Sequence, residues 1–392
     1  MKKRNLLLVA LICPMFLFSS CDDTIASGDS TSGDVAEVTV SDEDTSEIST
    51  IDSHAEMEEK LNLHYEINAS KVSITGLVDT TVTSVTIPTM IEGCPVTEID
   101  TKAFCDCSNL TSITIPEGVT KLGYEAFEKC SSLVSINLPS TLTSIGKYCF
   151  YKCSKLESIT IPEKITVINE YTFQGCSSLA SVTLPDGLIT IDDDSFNKCT
   201  SLTEVTIPAN VETIGGFAFN GCTNLSKITL PEGLKSLEKM ALSGCSSLET
   251  IVLPESVSSF GNGLFQSCTA LKEISLPAAA TEISGQMFNG CTALTTVTIP
   301  NTVTVIETEA FSMCSSLASI FIPNSVAFIG SDAFAGCQTD IFYDGSALSW
   351  ATVSAYAAME DAPNVTAYTF SEEEPTEEGN YWHYVDDVPT PW

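Results

Sequence analysis

Every 23 residues this chain repeats itself. Its Ile-Pro or Leu-Pro steps place proline at Pro88, Pro116, Pro139, Pro162, Pro185, Pro208, Pro231, Pro254, Pro277, Pro300 and Pro323, and every interval after a first one of 28 is 23. Cysteine keeps the same beat from Cys107 to Cys337. Phenylalanine keeps it three residues earlier, from Phe104 to Phe334, with Leu242 as the substitute in one unit. Leucine keeps it three residues later, from Leu110 to Leu317, and lapses at Asp340. By length alone, 392 residues suggest two or three domains. Self-similarity this strict overrides that prior and means a solenoid, in which each unit packs on its neighbours.

One unit reads as follows. Leu133 to Leu138 alternates at its end, so Ile136 and Leu138 point inward and Asn137 outward, which makes a short strand. Pro139 ends it, because proline has no N–H to give to the next coil. Leu142 and Ile145 return to the core, and a helical turn bearing Ala-Phe closes at cysteine, with Ser-Ser, Thr-Asn or Thr-Ala beyond it. The long first interval holds a five-residue insertion around Glu92, Gly93, Cys94 and Pro95.

The order Leu-x-x-Ile-x-Ile matches the strand of leucine-rich repeats. With Pro after it, then Val-Thr-x-Ile-Gly and Ala-Phe-x-x-Cys-Ser-Ser, the unit resembles the BspA-like class of bacterial leucine-rich repeats. The expected fold is a repeat solenoid: a leucine-rich repeat array of eleven 23-residue units over 85–338, mainly β, with short parallel strands and short helical segments. Residues 61–84, with Tyr65 to Leu77 as a strand pair, resemble the N-terminal cap of such arrays. Residues 339–370, with Ile341-Phe342-Tyr343 and Trp350, resemble the C-terminal one. Caps are needed because end units otherwise leave apolar faces and strand edges open.

Net charge is −34, from 17 Lys and Arg against 51 Asp and Glu. Such a balance argues against nucleic acid or an anionic membrane surface as a partner, and it favours a soluble monomer. Lys2, Lys3 and Arg4 precede an apolar run from Leu6 to Phe18 that is too short to span a bilayer, so 1–20 reads as an export signal. Phe18-Ser19-Ser20-Cys21 resembles the lipobox of bacterial lipoproteins. That resemblance makes Cys21 the lipidated first mature residue and the N-terminal lipid the chain's attachment to a membrane. It implies a lipid-anchored protein at the cell surface or outer membrane. Residues 22–60 hold 13 acids, one base and no aromatic side chain. Composition therefore predicts a disordered acidic tether over 21–60 and an acidic tail over 371–392.

Apart from Cys13 and Cys21, 14 cysteines remain. Export invites disulfides, and coils about 4.8 Å apart bring Cα atoms within range. In-register Cβ atoms, however, stay near that spacing, wider than the roughly 3.8 Å a bridge prefers. Buried free thiols packed behind the Phe column are the favoured reading, ahead of disulfides and of metal. Cys105 and Cys107 form a weak metal pair, Cys149 sits in an alanine column, and Cys94 is the candidate exposed thiol. His54, His64 and His383 lie outside the array, so no Cys-His or Ser-His-Asp set is assembled, and neither an enzyme nor a cofactor is expected. Asp192-Asp193-Asp194 reads as a solvated turn before a weak calcium site.

What remains is the exposed strand face. Its central column is Thr86, Thr114, Asn137, Thr160, Thr183, Thr206, Thr229, Val252, Ser275, Thr298 and Phe321, flanked by Glu157, Glu204, Lys227, Glu249, Lys272 and Glu273. Threonine is a good strand former, and paired threonines stabilise neighbouring strands by about 0.2 to 1 kcal/mol, so the column needs no ligand. A regular threonine column also suggests ice binding, which Asn137, Val252 and Phe321 interrupt. About eleven stacked strands nevertheless give a polar face about 50 Å long. The BspA-like resemblance implies adhesion to host matrix proteins, host cells or other bacteria, with an extracellular protein or glycan as the ligand of this face. The alternative is a scaffold or nutrient-capture lipoprotein that binds glycan.

Overall fold

The computed structural model describes residues 53–355, 357, 364–376, 378–385 and 388–392. The expected signal segment 1–20, the expected lipidation site Cys21 and the expected tether up to residue 52 lie outside the described residues. Among the described residues no helix is long and apolar enough to cross a membrane.

The 23-residue beat becomes a set of parallel ladders. On the front, Ser112–Thr114, Ser135–Asn137, Ser158–Thr160 and Ser181–Thr183 pair in register, residue to residue, with an exposed–buried–exposed pattern in the first three. A second ladder joins two-residue strands such as Val167–Ile168, Thr190–Ile191 and Thr213–Ile214. The third side is also bonded coil to coil: Phe127 N donates to Cys149 O at 2.8 Å, and Phe150 N to Thr172 O at 2.9 Å. Backbone satisfaction between turns is what lets so little regular structure per unit persist.

That third side was expected to be helical, and it is not. Its bonds within a turn are mostly three residues long, as in Glu128 N to Glu125 O, Cys130 N to Phe127 O and Leu133 N to Cys130 O. Two positions per unit take a left-handed φ, at Lys102, Glu125, Tyr148, Tyr171 and their equivalents, and at Asp106, Lys129, Lys152, Gly175 and theirs. Each left-handed residue turns its N–H along the stack, so that Glu125 N reaches Lys147 O at 3.0 Å and Lys129 N reaches Tyr151 O at 2.7 Å. A side chain other than glycine there costs about 1 kcal/mol, which the added bond between turns offsets.

Inside, the phenylalanine column forms two parallel stacks. Phe104, Phe127, Phe150, Phe173, Phe196 and Phe219 follow one another at 5.1 to 5.4 Å between ring centroids. Phe265, Phe288, Phe311 and Phe334 do so at 5.3 to 5.8 Å. Leu242 separates the two. Behind them the cysteine column does more than fill space. From Cys130 to Cys337 each Sγ donates to the carbonyl 26 residues earlier, as Cys130 to Phe104 O at 3.1 Å and Cys337 to Phe311 O at 3.0 Å. All 14 described thiols are free, 12 of them buried, with Cys94 and Cys105 half-exposed. Burial pushes the Cys176, Cys222 and Cys268 thiols up to about 12, so they stay protonated and unreactive. In residues 53–392 we therefore expect a thiol reagent to modify at most Cys94 and Cys105 under native conditions, and the 12 other cysteines only in denaturant. A native count well above two, or few free thiols after unfolding, sinks this.

Both ends differ from the composition-based expectation. Ser53–Leu61, assigned to the tether, is a helix whose Met57 and Leu61 pack on the core. Glu58 holds it there, accepting from Tyr65 N at 3.1 Å and meeting His64 Nδ1 at 3.2 Å. Leu63–Asn68 then pairs antiparallel with Lys71–Leu77, whose other edge starts the second ladder on Cys94–Ile99. The insertion is a small hairpin, Met90–Ile91 against Cys94–Ile99, closed by Glu92 and Gly93 at φ 49° and 75°. This two-residue turn with both φ positive matches strand twist.

At the other end the front ladder continues from Ser319–Ile322 through Thr339–Tyr343 and Val365–Phe370 to Tyr381–Val385, all parallel. Val388–Pro391 closes it as an antiparallel edge. The segment read as an acidic tail is therefore part of the cap. Trp382 anchors it, fully buried, with its indole N–H donating to Tyr343 O at 2.9 Å. Pro389 and Pro391 on the last strand remove N–H donors from the terminal edge, which discourages pairing with another chain.

Candidate functional site

The front ladder brings the sequence-predicted column into one line. Thr86 pairs with Thr114 and Thr114 with Asn137; Thr160 pairs with Thr183, Thr206 with Thr229 and Ser275 with Thr298. All of these are exposed, and Val252 is 84% exposed. Phe321 departs from the expectation: it is half-buried, edge-on to Trp382 at 5.7 Å, so it belongs to the C-terminal cap more than to the open face.

The face is not uniform. Thr250–Val252 forms no strand, and only Thr250 bridges to Glu273. The lapse comes directly after the unit that carries Leu242 in the phenylalanine column, ten residues earlier in the chain. The second ladder passes this point intact from Ser236–Leu237 to Ser259–Phe260. A shallow groove of about 550 Å³ lies on one side of Val252, lined by Lys227, Thr229, Glu232 and Pro254 among others. Another of about 570 Å³ lies on the other side, with Glu255, Glu273, Ser275 and Thr298. Lys272 and Glu249 form an exposed ion pair at 2.6 Å beside them. The arrangement offers an apolar knob between two polar depressions, with charge of both signs at the rim.

A family description, BspA type leucine-rich repeat region, matches 97–223, 189–317 and 281–367. The chain belongs to this family. Among solved structures, a leucine-rich repeat protein from Bacteroides ovatus is 27% identical over 79% of this chain and 89% of its own, with a TM-score of 0.55. A leucine rich cell surface protein from Faecalibacterium prausnitzii is 30% identical over 74% of this chain and 96% of its own, with a TM-score of 0.47. No curated protein sequence matches the chain.

In this BspA-type array the other candidates are placed as follows. Asp193 accepts from Gly216 N at 2.6 Å, and Asp194 accepts from Gln174 and Asn197, so two carboxylates of the acidic run are occupied in joining turns. Among the described residues no three His, Cys, Asp or Glu side chains are grouped to hold a metal. Cys105 Sγ lies 3.5 Å from Asp106 and 3.6 Å from Glu128. Burial, then Asp106, pushes its thiol up to about 12, the opposite of an activated nucleophile. His54 and His64 both face Glu58, at 3.8 and 3.2 Å, and His383 stacks on Trp392 at 3.8 Å.

One cluster escaped the sequence reading. Tyr124, Tyr148, Tyr151 and Tyr171 gather on the turn side. The available signal was the 23-residue separation of Tyr148 and Tyr171, which puts them one above the other.

Proposed function

We propose that this BspA-type protein is a lipid-anchored, monomeric surface protein that binds an extracellular protein through its strand face and catalyses nothing. The observation that carries this is the exposed column from Thr114 to Thr298, broken at Val252 by two grooves with charged rims. Exposed apolar surface rimmed by polar groups marks interaction sites. The family is a repeat scaffold, and the Faecalibacterium relative is a cell surface protein.

The test is a binding screen of residues 53–392 against extracellular matrix proteins and glycans, followed by Val252→Asp and Glu204→Lys. For the ligand found, we expect each substitution to weaken binding by about tenfold or more, equivalent to about 1.4 kcal/mol, with unchanged thermal melting. Binding that ignores both substitutions places the site elsewhere. For the anchor, Cys21→Ala is expected to move the protein from the membrane fraction to the soluble fraction; retention in the membrane refutes lipidation at that residue.

A further inference from the structure

The turn side carries an aromatic patch that the strand-face reading does not use. Tyr148 and Tyr171 stack at 4.5 Å with their planes 10° apart. Tyr124 and Tyr151 each meet Tyr148 at 5.7 Å, steeply inclined. None of the four is buried, and Tyr124 is 44% exposed.

The repeat itself does not require these rings. Where Tyr148 and Tyr171 stand, other units have Lys102, Asp194, Met240, Gly263 or Gln286. The position is also left-handed, with φ 59° at Tyr148 and 60° at Tyr171, a conformation that a bulky side chain adopts at a cost. Glycine fits there, as Gly263 does at φ 68°. Every unit is left-handed here, whatever its side chain, so the fold sets no demand for a ring; two stacked tyrosines with two more beside them point to a use outside the fold.

The surroundings specify the charge of what binds. A hydrogen bond to Glu125 pushes the Tyr124 hydroxyl up to about 12. The Asp194 charge, then burial, raises Tyr171, while burial, then Glu170, raises Tyr148. The hydroxyls thus lie in a negative potential and remain neutral acceptors. A cation already occupies one ring: Lys152 Nζ lies 4.9 Å from the centroid of Tyr151. Nearby Lys147 is tied to Glu170 at 2.7 Å and Lys129 to Glu128 at 2.8 Å, so the local bases are paired.

We propose that the tyrosine cluster on the turn side is a second binding surface, which takes arginine or lysine side chains of a basic extracellular polypeptide. Their charge meets the exposed aromatic rings, in the field of Glu125, which Lys102 pairs at 3.0 Å, and of Asp194, and their N–H groups meet the tyrosine hydroxyls. The chain's net charge of −34 draws such a partner in.

Titration calorimetry of residues 53–392 with nona-arginine tests this, alongside a neutral oligosaccharide. The combined change Tyr124→Leu, Tyr148→Leu and Tyr171→Leu keeps both charge and bulk. It is expected to weaken nona-arginine binding by about tenfold. Lys152→Ala, which frees a ring and cannot harm the core, is expected to tighten it several-fold. If both variants bind nona-arginine as the parent does, the attraction is diffuse charge and the proposal falls. It falls equally if the parent binds the oligosaccharide at this edge and not nona-arginine. Val252→Asp, on the strand face, is expected to leave this binding unchanged, so the two surfaces fail or stand separately.

Discussion

Replacing Phe173 with alanine is expected to lower the unfolding free energy by about 3 to 5 kcal/mol. The ring is fully buried and stacks on Phe150 at 5.4 Å and on Phe196 at 5.3 Å, so one truncation opens a cavity shared by three turns. Neither neighbour can collapse into the space, because its own turn is held in register by ladders on all sides. Stability in a stacked array is a sum over neighbouring interfaces, and this change weakens two of them. Phe334, which stacks on Phe311 alone, is the control and should lose less. Urea unfolding of residues 53–392 followed by circular dichroism reads both; a loss below about 1 kcal/mol for Phe173→Ala contradicts the stacked-core account.

Trp382→Ala should be comparably severe but local. Trp382 touches Phe321, Phe342, Phe370 and Tyr384 at 5.7, 6.0, 5.0 and 5.0 Å, and its N–H satisfies the Tyr343 carbonyl. Removing a buried tryptophan costs about 3 to 5 kcal/mol, which exceeds what two short terminal strands can return. We expect Tyr381–Val385 and Val388–Pro391 to detach and the apolar end of the stack to be exposed. Hydrogen exchange is the measurement: amides from 339 to 385 should lose protection while those from 112 to 298 keep theirs. Unchanged protection near residue 382 means that the tail is not the cap.

What was legible in the sequence follows from what repeats. A residue type that recurs at one register, such as Phe150, Cys153 or Leu156, reveals its inward direction by recurrence, and its burial is as expected. The geometry of the turn side was not legible, because Ala-Phe-x-x-Cys spacing suits an α-helix and a run of three-residue turns alike. Glycine is the usual sign of a left-handed residue, and here Lys152, Glu125 and Tyr148 stand in most of those places. The thiol-to-carbonyl bonds were invisible since their acceptors belong to the preceding turn. At the ends, acidic composition concealed real elements: Glu58 ties a docked helix to Tyr65 and His64, and Trp382 anchors a strand that follows Ser371 to Asn380. The strand face was located correctly from alternation. Its interruption was not, because Val252 is a good strand residue by itself, although the lapse at Leu242 lies in the unit just before it.

The in-register ladders also set how such a chain can change in length. Ladder bonds join turns to their equivalents one period away, as Ser135 to Ser158 on the front and Thr190 to Thr213 on the second side. Losing 186–208 would rejoin Pro185 to a unit in the same phase, keep every column aligned and shorten the face by one strand spacing, about 4.8 Å. A deletion one residue longer or shorter would rotate all later side chains out of the core. Insertions escape this rule only where they close on themselves, as the Glu92-Gly93 hairpin does. The reach of the binding face is therefore quantised, and indels in the gene for such an array survive in whole repeats.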